Sequence, residues 1–325
     1  MSKDFFTDLW PADERVLAEA KRFNQMLFWG PRFRLRSHFT PLLIQSLLHV
    51  SQIGRSRKLN RRGFKVEQRI VNVESGPVQV RIIRPPGPVN GIALDIHGGG
   101  WVFGNAQMDD KHNAAMAEVC NVAVVSIDYR LVGRVPIEAS MADCLAAACW
   151  LLSDGLPEYR DLPVIFVGES AGAHLVAATL LQLKVWPDLL CRVKGAVLYY
   201  GVYDLTGSPS VRASRASLVL HGPGLVAAFR MLTPGLSDAE RQQPPLSPLY
   251  GDLQGFPAAL MFVGELDPLR DDTAQMANRW QMTAEVKAYL VPEAPHGFIH
   301  LPTRLAGQIL EYSYKWIRER ISSPT

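Results

Sequence analysis

The residues most suited to chemistry are Gly168-Glu169-Ser170-Ala171-Gly172, a G-x-S-x-G pattern. It follows the apolar run Val164-Ile-Phe-Val and opens a helical pattern. A serine in a sharp strand-to-helix turn has its hydroxyl lifted clear of the backbone. The helix N-terminus adds positive potential where an oxyanion would develop. Alone the pattern is weak, with about 0.1 chance matches in a chain of this composition, so the context carries it. A second motif, His97-Gly98-Gly99-Gly100-Trp101, ends another apolar run. It arises by chance in roughly 0.4% of such chains. Three glycines let backbone N–H groups approach a substrate oxygen without Cβ interference. A phosphate-binding loop is the alternative, but neither G-x-G-x-x-G nor G-K-[ST] is present.

A serine nucleophile needs a base, and the base needs an orienting acid. Two later loops offer them: Gly264-Glu265-Leu266-Asp267-Pro268-Leu269 and Pro292-Glu-Ala-Pro-His296-Gly297-Phe298. Each follows a strand-like run, so each falls on the same sheet edge as Ser170. Among the eight histidines, His174 lies one turn into the helix after Ser170 and reads as a packing residue. His300 reads as the start of a helix. Asp267 competes with Glu265, which is close to the strand, and with Asp271 and Asp272, which read as dipole or capping residues of the next helix.

These motifs must be held by a scaffold, and the periodicity describes one. Residues 12–29 and 41–53 carry apolar residues at helical spacing. At residue 67 the period changes to two short strands, with Ser75-Gly76-Pro77 as the turn between them. Strands then alternate with helices: strands at 91–96, 122–127, 164–167, 193–200, 258–263 and 286–291, helices at 109–120, 137–152, 171–184, 273–282 and 305–320. Near-continuous apolar strands in this alternation indicate a parallel sheet covered on both faces. Right-handed crossovers collect the strand ends, and with them the site, along one edge. Residues 205–253 break the alternation and are too long for a plain connection. They read as an inserted helical lid.

The motif set resembles the hormone-sensitive-lipase-like family of bacterial α/β-hydrolase esterases. The resemblance rests on His97-Gly-Gly-Gly-Trp, Ser126-Ile-Asp-Tyr-Arg-Leu, Gly168-Glu-Ser-Ala-Gly, Tyr200-Gly-Val-Tyr-Asp-Leu, Ser247-Pro-Leu-Tyr, Phe262-Val-Gly-Glu-Leu-Asp-Pro-Leu and His296-Gly-Phe. It covers residue 67 to the C-terminus. It implies an α/β-hydrolase fold with a mostly parallel eight-stranded sheet flanked by helices and a helical cap. The corresponding division is 1–60 as the N-terminal part of the cap, 61–204 and 254–325 as core, and 205–253 as the cap insertion. The implied activity is hydrolysis of short- to medium-chain carboxylic esters with no cofactor and no metal. Ser170, Asp267 and His296 would be catalytic, and the N–H groups of Gly99, Gly100 and Ala171 the oxyanion hole. Trp101, Phe23, Leu27, Leu218, Leu225 and Phe229 would line the substrate pocket. Two positions depart from the family pattern: Glu169 stands where Asp is usual, and Val132-Gly-Arg-Val-Pro136 replaces a loop that usually continues Ala-Pro-Glu. The same triad would also serve an arylformamide or a lactone. A non-catalytic ligand-binding member is the other alternative, and the presence of His296 argues against it.

Composition narrows the remaining classes. The 325 residues are 48% hydrophobic and 20% charged, which fits a globular protein and excludes disorder or a coiled coil. Net charge is +3, but residues 1–69 hold 14 Lys/Arg against 6 Asp/Glu. Arg55, Arg57, Lys58, Arg61, Arg62, Lys65 and Arg69 form the densest part. Without interleaved aromatics or a nucleic-acid motif, this run reads as a solvated surface and not a nucleic-acid site. No run approaches the ~18–20 apolar residues of a membrane span, and the first residues lack the form of a signal peptide. Cys120, Cys144, Cys149 and Cys191 sit in apolar stretches outside any C-x-x-C pair, the usage of a cytoplasmic protein with reduced, buried thiols. The expected partner is a small-molecule ester, with a homodimer left open.

Overall fold

The computed structural model describes residues 8–29, 39–73, 76–214 and 218–322, with backbone alone for 39–43 and 73. Parts of the 1–60 segment, and Ser75 of the expected turn, therefore lie outside the described residues. In chain order the elements are β1 (Asp8–Leu9), α1 (Glu14–Phe28), α2 (Phe39–Gln52), α3 (Arg55–Arg61), β2 (Lys65–Val73), β3 (Gly76–Arg84), β4 (Gly91–Ile96), α4 (Asp110–Cys120), β5 (Val122–Asp128), α5 (Ile137–Ser153), β6 (Val164–Glu169), α6 (Ala171–Leu183), α7 (Pro187–Leu190), β7 (Val193–Tyr199), α8 (Pro209–Ala213), α9 (Gly222–Leu232), α10 (Asp238–Arg241), β8 (Ala258–Gly264), α11 (Arg270–Trp280), β9 (Val286–Val291) and α12 (Arg304–Ser322).

The strands form one sheet in the order β1-β9-β8-β7-β6-β4-β5-β3-β2. β2 and β3 pair antiparallel, as do β3 and β5, and the other pairings are parallel. The sheet has nine strands rather than the expected eight. The additional one is β1, which adds parallel to β9 with Asp8 opposite Tyr289. Trp10 anchors it, its ring edge-on to Phe262, Tyr289 and Tyr312 at 5.8, 5.3 and 5.3 Å. A two-residue strand has no periodicity to read, so the sequence presents this segment only as part of a helical region.

Two apolar cores lie on the two faces. One is built on α5, α6 and α11, the other on α1, α4 and α12. β4 and β6 are neighbours, with Ile96 opposite Gly168. Their following connections leave in opposite directions, toward β5 and β7. That is a topological switch point, where a crevice opens at the strand ends. The His97 loop and the Ser170 turn emerge side by side into it.

The 205–253 segment between β7 and β8 is clasped at its root. Asp272 Oδ1 accepts hydrogen bonds from the N–H groups of Tyr203 and Asp204 at 2.8 and 3.1 Å. Ser247 Oγ accepts from Leu205 N–H at 2.9 Å and donates to Arg241 O at 2.6 Å. Tyr250 Oη donates to Asp204 Oδ2 at 3.0 Å. Asp271 accepts from Ser210 N–H at 2.8 Å. Asp271 and Asp272 thus bind the insertion to α11, a role beyond the capping expected of them. The basic run forms α3 and its flanks, where Arg62 pairs with exposed Glu118 at 2.7 Å.

Candidate active site

Ser170 sits at φ 52°, ψ −119°, between the end of β6 and the first residue of α6. The turn is so tight that a Cβ on Gly172 would lie 1.9 Å from the carbonyl oxygen of Ile96. Glycine there lets α6 start directly against the end of β4. His296 bridges two partners. Its Nδ1 is 2.8 Å from Asp267 Oδ2, and its Nε2 is 2.9 Å from Ser170 Oγ. The carboxylate accepts from Nδ1–H, which leaves the Nε2 lone pair facing the serine hydroxyl. Asp267 is 2% exposed, and its other oxygen accepts from Leu269 N–H at 2.9 Å. Glu265 is exposed, and its carboxylate accepts a long bond, 3.4 Å, from Glu293 N–H. Of the acids at this loop, Asp267 is the one that faces His296.

The glycine loop is equally constrained. Gly99 has φ 100°, Gly100 φ 59° and Trp101 φ 63°. A Cβ on Gly99 would meet Phe103 O at 2.0 Å. Tyr129 Oη donates to His97 O and Gly98 O at 3.0 and 3.1 Å and stacks on the His97 ring at 4.2 Å. From the N-terminal segment, the Gln45 side chain pairs with both backbone groups of Gly104, accepting at 2.8 Å and donating at 3.0 Å. Gln45 had no sequence signal, because its partner lies 59 residues away. The departing Val132–Pro136 loop keeps one tie to this region, Val132 N–H donating to Trp101 O at 2.8 Å.

Ser170, His296, Gly99 and Gly100 open on a cavity of about 310 Å³. Trp101, Leu225 and Phe229 line it, as do Val219, Leu220 and Leu232 from the chain between β7 and β8. Ala171 is fully buried behind Ser170. Leu218 lies instead on a separate outer groove of about 710 Å³ beside Asp267. Phe23 and Leu27, expected as pocket walls, are half-buried and line neither space. The face of α1 that reaches the outer groove carries Lys21, Asn24, Gln25 and Phe28. Those positions form one i, i+3, i+4, i+7 stripe, and residues 23 and 27 fall off it. The buried side of α1, through Val16 and Ala20, joins the core that holds α12.

Two histidines support the site from within. His174 is fully buried. It accepts from Trp101 Nε1–H at 3.3 Å through Nδ1 and donates from Nε2 to Leu246 O at 2.9 Å. Burial holds its pKa down to about 4, with the Leu246 bond opposing weakly. An unfolded histidine titrates near 6.5, so the unfolded chain binds the extra proton between those values. Stability contributed this way is present above about pH 6.5 and declines as pH falls toward 4. His174→Gln should therefore weaken the acid-side fall of the urea midpoint by up to one proton. An unchanged slope in that variant would count against the assignment.

His300 does not begin α12. It sits in the turn before it, with Nε2 2.6 Å from Glu169 Oε2. Tyr200 Oη donates to the same oxygen at 2.5 Å, and the Tyr200 ring meets the His296 ring edge at 4.7 Å. Burial alone would raise the Glu169 pKa, but charge from His300 and the hydrogen bonds of His300 and Tyr200 hold it well below the usual value. Burial opposes charge on His300, yet Glu169 raises it to about 9. The Glu169 departure thus pairs a buried carboxylate with the part-exposed His300 next to the serine, which its sequence position did not reveal.

A model of the alpha/beta hydrolase fold family matches residues 93–300. The chain belongs to this family. It is 33% identical over 245 residues to the carboxylic ester hydrolase LipN of Mycobacterium tuberculosis, an alignment covering 70% of this chain and 62% of that protein. The chain thus spans about three fifths of the length of that curated relative. Among solved structures, esterase LipW of Mycobacterium marinum superposes with a TM-score of 0.82 at 24% identity, covering 94% and 98% of the two chains. An esterase of the bacterial hormone-sensitive lipase family superposes with a TM-score of 0.75 at 24% identity over 96% and 100%. The alpha/beta hydrolase family also fits the site at the switch point between β4 and β6. No helix among the described residues is long and apolar enough to cross a membrane.

Proposed function

We propose that this alpha/beta hydrolase is a serine carboxylesterase acting on short- to medium-chain esters. The observation that carries the reading is His296, bonded at once to Asp267 and Ser170 on the floor of an apolar cavity. Ser170 Oγ attacks the ester carbonyl while His296 Nε2 takes its proton. The tetrahedral oxyanion turns to the N–H groups of Gly99, Gly100 and Ala171 at the start of α6. His296 then delivers the proton to the leaving alcohol, and the acyl group stays on Ser170. Water activated by the same imidazole attacks the acyl-enzyme and restores the serine. Asp267 holds the imidazole tautomer and stabilises its charged form. The named activity of LipN supports the same reaction class. We also place the enzyme in the cytoplasm, a reading supported by four free thiols, two of them buried.

The insertion gives the cavity its apolar roof, which excludes water from the acyl-enzyme. Phe229, 1% exposed, closes one side against Trp101 with ring centroids 6.3 Å apart. Turnover of p-nitrophenyl esters from acetyl to octanoyl, alongside formamides and lactones, tests the reading. Esters should be the preferred class, and Phe229→Ala should raise the octanoyl-to-butanoyl ratio of kcat/KM by about tenfold, the scale of one or two methylenes. Faster turnover of formamides or lactones than of any ester would overturn the ester reading. An unchanged chain-length profile in Phe229→Ala would remove Phe229 from the pocket wall.

A further inference from the structure

Asp109 and Asp110 are adjacent, buried and treated in opposite ways. Asp110 receives a two-pronged bond from Arg81, at 2.7 and 2.8 Å. Asp109 is 6% exposed, and neither of its carboxylate oxygens has a hydrogen-bond partner among the described residues. A buried carboxylate without donors is costly enough to require an explanation, and an ion is one of the few on offer. Asp109 lines a cavity of about 30 Å³ together with His112, Glu169 and His300, and the last two also reach the cavity of Ser170. One donor atom each from Asp109, Glu169 and His300 lie within 4.8 Å of one another. His300 Nε2 is 2.6 Å from Glu169 Oε2 and 3.9 Å from Asp109 Oδ1.

We propose that Asp109, Glu169 and His300 form a site for one divalent transition-metal ion behind the nucleophile turn. Ligands about 2.0–2.2 Å from a tetrahedral zinc stand roughly 3.3–3.6 Å apart, a spacing between the two distances seen here. Two carboxylates and an imidazole suit zinc or manganese and not a soft, thiolate-seeking ion. His112 Nε2 lies 3.1 Å from His300 Nδ1. It accepts a hydrogen bond from Nδ1–H, the outer support that ligating histidines usually have, and the ion would displace the Nε2 proton that otherwise joins His300 to Glu169. The His300 side chain is 34% exposed, so the ion has a path from solvent. The three ligands come from the start of α4, the end of β6 and the turn before α12. The ion would therefore clamp the elbow to both flanking helices, and it takes no part in ester chemistry. The site stands independently of the proposed esterase activity.

The test uses the full chain, stripped with a chelator and dialysed. Calorimetric titration with ZnCl2 should show one saturable site per chain. CoCl2 should give the visible absorption of a protein-bound cobalt ion, and excess Zn²⁺ should raise Tm by several degrees. Asp109→Asn and His300→Gln should each lose the cobalt band and the Tm shift, with circular dichroism confirming that both remain folded. Absence of saturable binding in the unsubstituted protein would overturn the proposal, as a bridging water would then satisfy Asp109. So would unchanged cobalt spectra in either folded variant.

Discussion

Ser170→Ala should fold normally and lose ester turnover by about 10⁶ in kcat, the scale seen when a triad nucleophile is removed. Folding should survive because the φ of 52° at Ser170 strains alanine and serine about equally, and the turn is set by its flanking glycines. The hydroxyl has one hydrogen-bond partner among the described residues, His296 Nε2 at 2.9 Å. Removing it takes away the nucleophile that His296 is placed to deprotonate. The loss should appear entirely in kcat with p-nitrophenyl butyrate. A small organophosphate should add to Ser170 in the unsubstituted protein and to nothing in the variant. A label on another residue, or an alanine variant that keeps most of its activity, would remove Ser170 from the reaction.

The parts of this site that could be read in advance are those encoded locally. Glycines around Ser170 and after His97 are demanded by backbone approach within a few residues, so they leave a motif. Strand and helix alternation places those motifs on one edge before any contact is known. The missed parts depend on pairings across the chain. His300 and Glu169 are 131 residues apart, and only the fold reveals that one holds the other. The misplacement of Phe23 and Leu27 has a different cause. Helical spacing identifies an apolar stripe but not which neighbour it faces, and in α1 it is Val16 and Ala20 that join the core holding α12. β1 escaped because two residues of edge strand are held by Trp10 packing on Phe262, Tyr289 and Tyr312, not by their own pattern.

Asp267 and Glu265 are the pair for which the sequence left two readings, and substitution separates them by orders of magnitude. Asp267→Asn keeps the size and the Leu269 N–H bond but replaces one acceptor oxygen by an amide donor. With an N–H group facing it, His296 Nδ1 must become an acceptor, which moves the imidazole proton to Nε2. That nitrogen then presents a hydrogen to Ser170 Oγ and has no lone pair to take the serine proton. The expected fall is about 10⁴ in kcat, with KM little changed because the substrate cavity is untouched. Glu265→Gln alters an exposed side chain whose one acceptor bond among the described residues is 3.4 Å long, and it should leave kcat close to that of the parent. Steady-state kinetics of the two variants, with Ser170 labelling to verify an intact site, decide between them. Full activity in Asp267→Asn with loss in Glu265→Gln would transfer the acid role to Glu265. It would also require the loop after β8 to rearrange during turnover, since in this structure Glu265 points into the outer groove.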